Sequence, residues 1–200
     1  MAVPRRPTTG ARERILDAAG SLFYARGVRA VGMNEVVEAA GCGKNLLYAQ
    51  FPSKVDLVAA YLERFRARRV ATADAVLRSH DGDPAAQLVA LTAEVARRAD
   101  APRFRGCAMR NYLVEFPDAD DAASRVARSY LRDSRAAVAT LVGHLGVADA
   151  AGVAERIWLV VEGLYASATR PAEGSNARTA VALVEEIIAG APRRSPGIDT

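Results

Sequence analysis

Hydrogen-bond donors crowd one short stretch of the chain: Lys44, Asn45, Tyr48, Gln50 and Lys54. Their chemistry suits a polyanion that also presents base edges. A lysine ammonium donates to guanine O6 or N7 or to a phosphate, and an asparagine amide pairs bidentately with adenine. Lys44 and Asn45 open a short helical run from Lys44 to Gln50. The N-terminal end of a DNA-reading helix is the end that enters the major groove. Leu46 either meets a thymine methyl or packs inward, whereas Leu47 and Phe51 read as core. Lys54 stands at the start of the next helix, where the positive helix end helps to hold an anion. Arg29 and Asn34 are further phosphate candidates, with a solvated surface position as the alternative for each.

Such donors need elements to hold them. Ile15, Ala18, Ala19, Leu22 and Phe23 recur on one face of a helical period. Gly27 follows, where a helix is closed by a residue at positive φ. A second helix fits Met33 to Ala40, with Gly32 at its N-cap and Glu35 three residues on. Gly41 ends it, and the run from Lys44 makes a third. Two short helices joined by a Gly-containing turn have the sequence shape of a helix-turn-helix. Ser53 then caps a long helix. Its hydroxyl is expected to accept from the Asp56 amide, and the Asp56 carboxylate to reach back to the Ser53 N–H.

These residues carry a resemblance. Gly27-Val28, Ala40-Gly41-Cys42-Gly43 and the run Leu47-Tyr48-Ala49-Gln50-Phe51-Pro52-Ser53-Lys54-Val55-Asp56-Leu57 resemble the N-terminal domain of the TetR (tetracycline-repressor-like) family of bacterial regulators. The family pattern has an AG-V-S turn, an L-Y-x-H/Y-F core and an S-K-x-x-L helix start. The resemblance implies that Tyr48 and Gln50 take the positions where the family sets Tyr and His or Tyr against phosphates. It implies a phosphate contact for Lys54. The chain departs from the pattern at Val31, Gly32 and Gly43, where the family usually carries hydroxyl residues. It departs again at Asn45 and Leu46, where many members have Gly and a small residue. A lost hydroxyl cap costs about 0.5–2 kcal/mol, but a glycine cap loses only a few tenths.

Half of the 200 residues are hydrophobic and a quarter are charged, ordinary for a globular chain with a sizeable core. The net charge is +4 and the pI about 9.4, in keeping with a polyanion partner. The only lysines are Lys44 and Lys54. Cys42 and Cys107 lie far apart, without a CxxC or a Cys/His cluster, so no metal site and no cofactor are implied. A reduced cytoplasmic protein is the simple reading. No run of about 18 apolar residues suggests a membrane span. Residues 1–10 read as a flexible basic arm and 191–200 as a flexible tail.

Nothing downstream reads as a strand, so the expected class is all-α with about nine helices. The long helix runs from Ser53 to about Leu77. Further helices fit Pro84 to Arg98, Phe104 to Phe116, Asp118 to His144, Asp149 to Thr169 and Asn176 to Ala189, with a loop over 170–175. The resemblance implies a helix-turn-helix DNA-binding domain over 11–53 and a helical domain over 54–190 that binds an effector and dimerises. It further implies a homodimer through the last two helices, and their apolar residues Ile157, Val161, Leu164, Val181, Val184 and Ile188 are the interface candidates. The alternative is that these residues complete the core of one chain.

A second constellation lies at Cys107, Asn111 and Glu115, which recur every fourth residue on one helix face. Either they line a polar pocket for a small-molecule effector, or they form a structural hydrogen-bond network. Tyr61, Phe65, Phe104, Met109, Tyr112, Tyr130, Trp158 and Tyr165 are candidates for an apolar pocket wall, with plain core as the alternative. Glu162 pairs either with an arginine or with a cationic ligand. Cys107 is either an inert buried thiol or a redox-sensitive one.

The chain has no GxSxG, HExxH, GxGxxG or P-loop, and its histidines are His80 and His144 alone. Catalysis is not expected. The function expected is a ligand-responsive transcriptional regulator, a repressor in the main reading. It would bind a near-palindromic double-stranded DNA operator as a homodimer and leave it on meeting its effector. The alternative is a helical protein–protein interaction module with a degenerate helix-turn-helix.

Overall fold

The structure is a computed structural model that describes residues 8–167 and 176–194. Residues 1–7 of the expected arm, the loop over 170–175 and residues 195–200 of the expected tail lie outside the described residues. Against expectation, residues 8–10 of the arm are helical, and the start of the tail is tied down, the Arg194 amide donating to the Gly146 carbonyl at 2.8 Å.

Among the described residues there are nine α-helices and no strand. They are α1 (Thr8–Arg26), α2 (Met33–Ala39), α3 (Lys44–Gln50), α4 (Lys54–Arg78), α5 (Pro84–Ala99), α6 (Ala108–Glu115), α7 (Ala122–Gly143), α8 (Ala150–Ala166) and α9 (Asn176–Ala189). The all-α expectation holds. One isolated antiparallel bridge joins Val147 to Arg193.

The helix ends follow from local chemistry. Gly27 closes α1 at φ +86°, its amide donating to the Phe23 carbonyl at 2.9 Å. Asp83 caps α5 by accepting from the Ala86 amide at 2.9 Å, and Pro84 takes the first helical position. Asp149 caps α8 in the same way through Gly152, at 2.8 Å. At α4 the cap is altered. The Asp56 amide donates to Ser53 Oγ at 3.1 Å as expected, but the Asp56 carboxylate accepts from the Ser53 hydroxyl at 2.7 Å instead of its amide.

Two helices start later than the periodicity predicts. The segment from Phe104 to Cys107 is not helical, because Arg103 (φ 66°) and Gly106 (φ 81°) turn the chain before Cys107 caps α6. Helix α7 starts at Ala122, not Asp118. Asp121 caps it, accepting from the Ser124 amide at 2.7 Å while its own amide donates to Ser124 Oγ at 2.9 Å.

The chain forms two compact units. The first holds the described residues up to Ala67 together with Cys107–Tyr130. Ile15, Leu47, Leu57, Leu62 and Met109 are fully buried in it, alongside Phe51 and Val36. Burying each such side chain stabilises by about 1.5–3 kcal/mol. The second holds Arg68–Gly106 and the described residues from Leu131 on. Its main core joins Leu88, Val142, Val153, Ile157, Val184 and Ile188. A smaller cluster gathers Ala96, Leu164 and Ala180. Compactness therefore divides the chain inside α4 and α7, whereas the functional boundary was expected at residue 53.

Candidate nucleic-acid interface

Helix α3 sorts its residues by face. Leu47 is fully buried and Phe51, its C-cap, is 2% exposed, so this side anchors the helix to α1 and α2. Lys44, Asn45 and Tyr48 are exposed, and Leu46 and Gln50 are half-buried. At 100° per residue, positions 44, 45 and 48 share one face. The anchoring side therefore turns a row of donors to solvent. Tyr48 stands out as a large, half-exposed side chain with a polar tip.

The caps in front of these helices are glycines. Gly32 (φ −85°, ψ 155°) and Gly43 (φ −80°, ψ 153°) adopt the extended conformation of an N-cap without a side-chain hydrogen bond. Half of a capping box survives at α2, where the Gly32 amide donates to Glu35 Oε1 at 2.9 Å. That amide and the Arg26 guanidinium hold the Glu35 carboxyl below its ordinary range. Cys42, half-buried in the turn between α2 and α3, is a free thiol. Burial pushes its pKa up, against the nearby charge of Arg14. Arg12, near the start of α1, lies over the Phe51 ring with its guanidinium carbon 4.6 Å from the centroid.

Lys54 is half-buried at the start of α4. Burial draws its pKa down, opposed by the carboxylates of Glu115 and Glu35. Asn34 is exposed. Arg29 is exposed too, but its guanidinium is engaged: it donates to the Glu115 carbonyl and lies 4.8 Å over the Phe116 ring.

Cys107 is buried at the N-cap of α6, and the Asn111 amide donates to its carbonyl at 3.0 Å. Glu115 turns to the α1–α2 turn, where both carboxylate oxygens accept backbone amides of Val28 and Arg29. The Glu115 carboxylate is therefore engaged in a structural hydrogen-bond network. Tyr61 is buried against Phe23, with ring centroids 5.7 Å apart, and burial pushes its phenol pKa far up. Met109 and Tyr112 are buried, Tyr112 beside Phe116 at 5.0 Å, while Phe65 and Tyr130 are half-buried. In the second unit, Phe104 stacks on Tyr165 at 6.3 Å, and Arg98 lies 6.0 Å from the same Tyr165 ring. Trp158 and Glu162 are half-buried.

The apolar residues expected to face a partner mostly face inward. Ile157, Val161, Leu164, Val184 and Ile188 are buried within their own chain, and Val181 packs against the smaller cluster. The outward apolar side chains of these helices are Leu159, 60% exposed, and Leu183, 42% exposed. Leu183 lines a surface groove of about 420 Å³ between α8 and α9, with Val160, Gly163, Ala166, Thr179 and Ala180 among its other walls. None of the aromatic pocket candidates lines it.

Sequence reasoning missed Arg12 over Phe51 and the meeting of Glu115 with the α1–α2 turn. Neither has a local signal, since each pairs residues distant in sequence.

Comparison with known proteins completes the site. Residues 15–61 match the family model described as bacterial regulatory proteins, tetR family. A structure solved as a TetR transcriptional regulator from Streptomyces avermitilis is 31% identical. The alignment covers 88% of this chain and 97% of that one, with a TM-score of 0.75. The chain belongs to the TetR family. Another TetR-family transcriptional regulator, from Streptomyces coelicolor, superposes with a TM-score of 0.86 at 25% identity, over 92% of this chain and 96% of its own. An uncharacterized HTH-type transcriptional regulator of Mycobacterium tuberculosis is 48% identical over 59 residues, 30% of this chain. That match spans only 29% of the relative's length. The chain thus carries the helix-turn-helix of a TetR-family transcriptional regulator.

Proposed function

We propose that the chain is a homodimeric repressor that reads a near-palindromic operator and leaves it when a small molecule binds. The observation that carries the DNA-reading part is the outward row of Lys44, Asn45 and Tyr48 on a helix whose other side is locked by Leu47 and Phe51. Lys44 and Asn45 read base edges, and Tyr48, Gln50 and Lys54 hold phosphates. Asn34 is a flanking phosphate contact; Arg29 reaches a phosphate only by leaving Phe116. Residues 11–53 are the reading head, and 54–190 hold the effector and dimerise.

Two recognition helices in a two-fold dimer lie about 34 Å apart or somewhat more, one turn of DNA. The outward Leu159 and Leu183 favour α8 and α9 as the dimer face. The effector acts by binding one dimer geometry better than the other, a population shift limited by its differential affinity. The aromatic pair Phe104–Tyr165 with Arg98 is the strongest effector-side cluster, and its chemistry suits a planar ligand. No described helix is long and apolar enough to cross a membrane. An operator-bound repressor works in the cytoplasm.

Selection of random DNA fragments by the purified protein tests this reading. A near-palindrome recovered from the pool supports it, and an unenriched pool contradicts it. The glycine caps at Gly32 and Gly43 favour a second reading, an interaction module with a degenerate helix-turn-helix. A dimer without salt-dependent DNA binding would establish that second reading.

A further inference from the structure

The α1–α2 turn leaves the amides of Val28 and Arg29 outside any helix, and one distant carboxylate takes both. Val28 N–H donates to Glu115 Oε1 at 3.1 Å, and Arg29 N–H donates to Glu115 Oε2 at 2.7 Å. The Arg29 guanidinium closes the contact by donating to the Glu115 carbonyl and covering the Phe116 ring. The turn is shaped to receive the carboxylate. A Cβ on Gly27 would stand 2.8 Å from Glu115 Oε1.

The electrostatics of the site make this contact conditional. Glu115 is the last residue of α6, and α1 ends at Arg26. The carboxylate therefore lies at the negative ends of two helices, where an anion is disfavoured. Charge-assisted bonds from two amides offset that disadvantage, and so do the nearby cations Arg29 and Lys54. A contact held by a few directional bonds at partly exposed positions opens at low cost compared with a packed core.

We infer that Glu115 is a positioning residue for DNA recognition: through it α6 sets the α1–α2 turn, and with the turn the pair α2–α3. Its part in DNA binding rests on the proposed function; the holding of the α1–α2 turn by α6 rests on the hydrogen bonds alone.

The test uses the full chain and the variants E115A and E115Q. Amide hydrogen exchange is followed over the turn, α2, α5 and α8, and the same proteins are titrated with the selected DNA fragment. In E115A, exchange at Val28, Arg29 and α2 is expected to rise about tenfold or more, with α5 and α8 unchanged. Its DNA affinity is expected to fall about fivefold at an unchanged salt slope, because no phosphate contact is lost. E115Q keeps one acceptor oxygen and should fall between E115A and the parent; it carries the comparison if E115A does not fold. Unchanged exchange in α2 would overturn the inference whatever happens to DNA binding. So would faster exchange with the parent's DNA affinity. Absence of salt-dependent DNA binding in the parent would instead overturn the proposed function and the DNA role with it, and the exchange comparison would still decide whether Glu115 holds the turn.

Discussion

The phenol of Tyr112 donates to Asp121 Oδ2 at 2.8 Å, tying α6 to the cap of α7. Burial would raise the Asp121 pKa, but the Ser124 amide and the Tyr112 hydroxyl outweigh it and hold the carboxyl below its ordinary value of 3.8. A folded-state pKa below the unfolded one means stability that is present above pH 3.8 and lost as pH falls through the folded value. Tyr112→Phe should cost about 1–2 kcal/mol at neutral pH. Urea unfolding at pH 7 and at pH 3 checks both parts: the gap between parent and variant should shrink at the lower pH.

Lys54→Ala should weaken binding to every DNA sequence and flatten the slope of log K against log salt by about 0.9, the share of one phosphate. Tyr48→Phe should likewise weaken all sequences. Asn45→Ala should instead relax the preference at one base position by about 1–3 kcal/mol. Binding titrations at several salt concentrations, with matched and mismatched fragments, separate the two classes. An unchanged slope for Lys54→Ala would remove its phosphate role.

The helix-turn-helix was legible in the sequence because its signals are local. Gly27 and Gly41 at helix ends, the apolar period of α1 and the Ser53 cap each act within a few residues. The start of α6 was misplaced at Phe104, although Gly106 gave the sign of a break. Periodicity shows that α8 and α9 have apolar faces, but not whether Ile157 or Leu159 meets a partner. Only the packed fold shows Ile157 buried and Leu159 exposed. The reach of Glu115 to Val28 is a tertiary contact between residues 87 apart, with nothing in either segment to announce it.

Leu159 and Leu183 separate self-association from folding. Leu159→Glu combined with Leu183→Glu should lower dimer affinity about tenfold or more and leave monomer unfolding within about 0.5 kcal/mol. Ile157→Ala should do the reverse, costing about 2–5 kcal/mol of stability by opening a core cavity. Sedimentation equilibrium and denaturant unfolding of the same samples give both quantities.

Gly43 accepts a side chain. An added Cβ there meets nothing within 4 Å, and φ −80° suits any residue. Gly43→Ser should stabilise α3 by a few tenths of a kcal/mol, the usual difference between a glycine and a serine cap. Gly27→Ala should go the other way by about 1–2 kcal/mol, since φ +86° is left-handed. Thermal unfolding of each variant measures the sign directly.

Sequence reading by α3 is open to direct measurement. The purified full chain is used to select fragments from random DNA, and the enriched fragment is then titrated across salt concentrations. The expected result is a near-palindromic motif bound with a steep negative slope of log K against log salt. Weak, sequence-blind binding with no enriched motif would contradict sequence reading by α3.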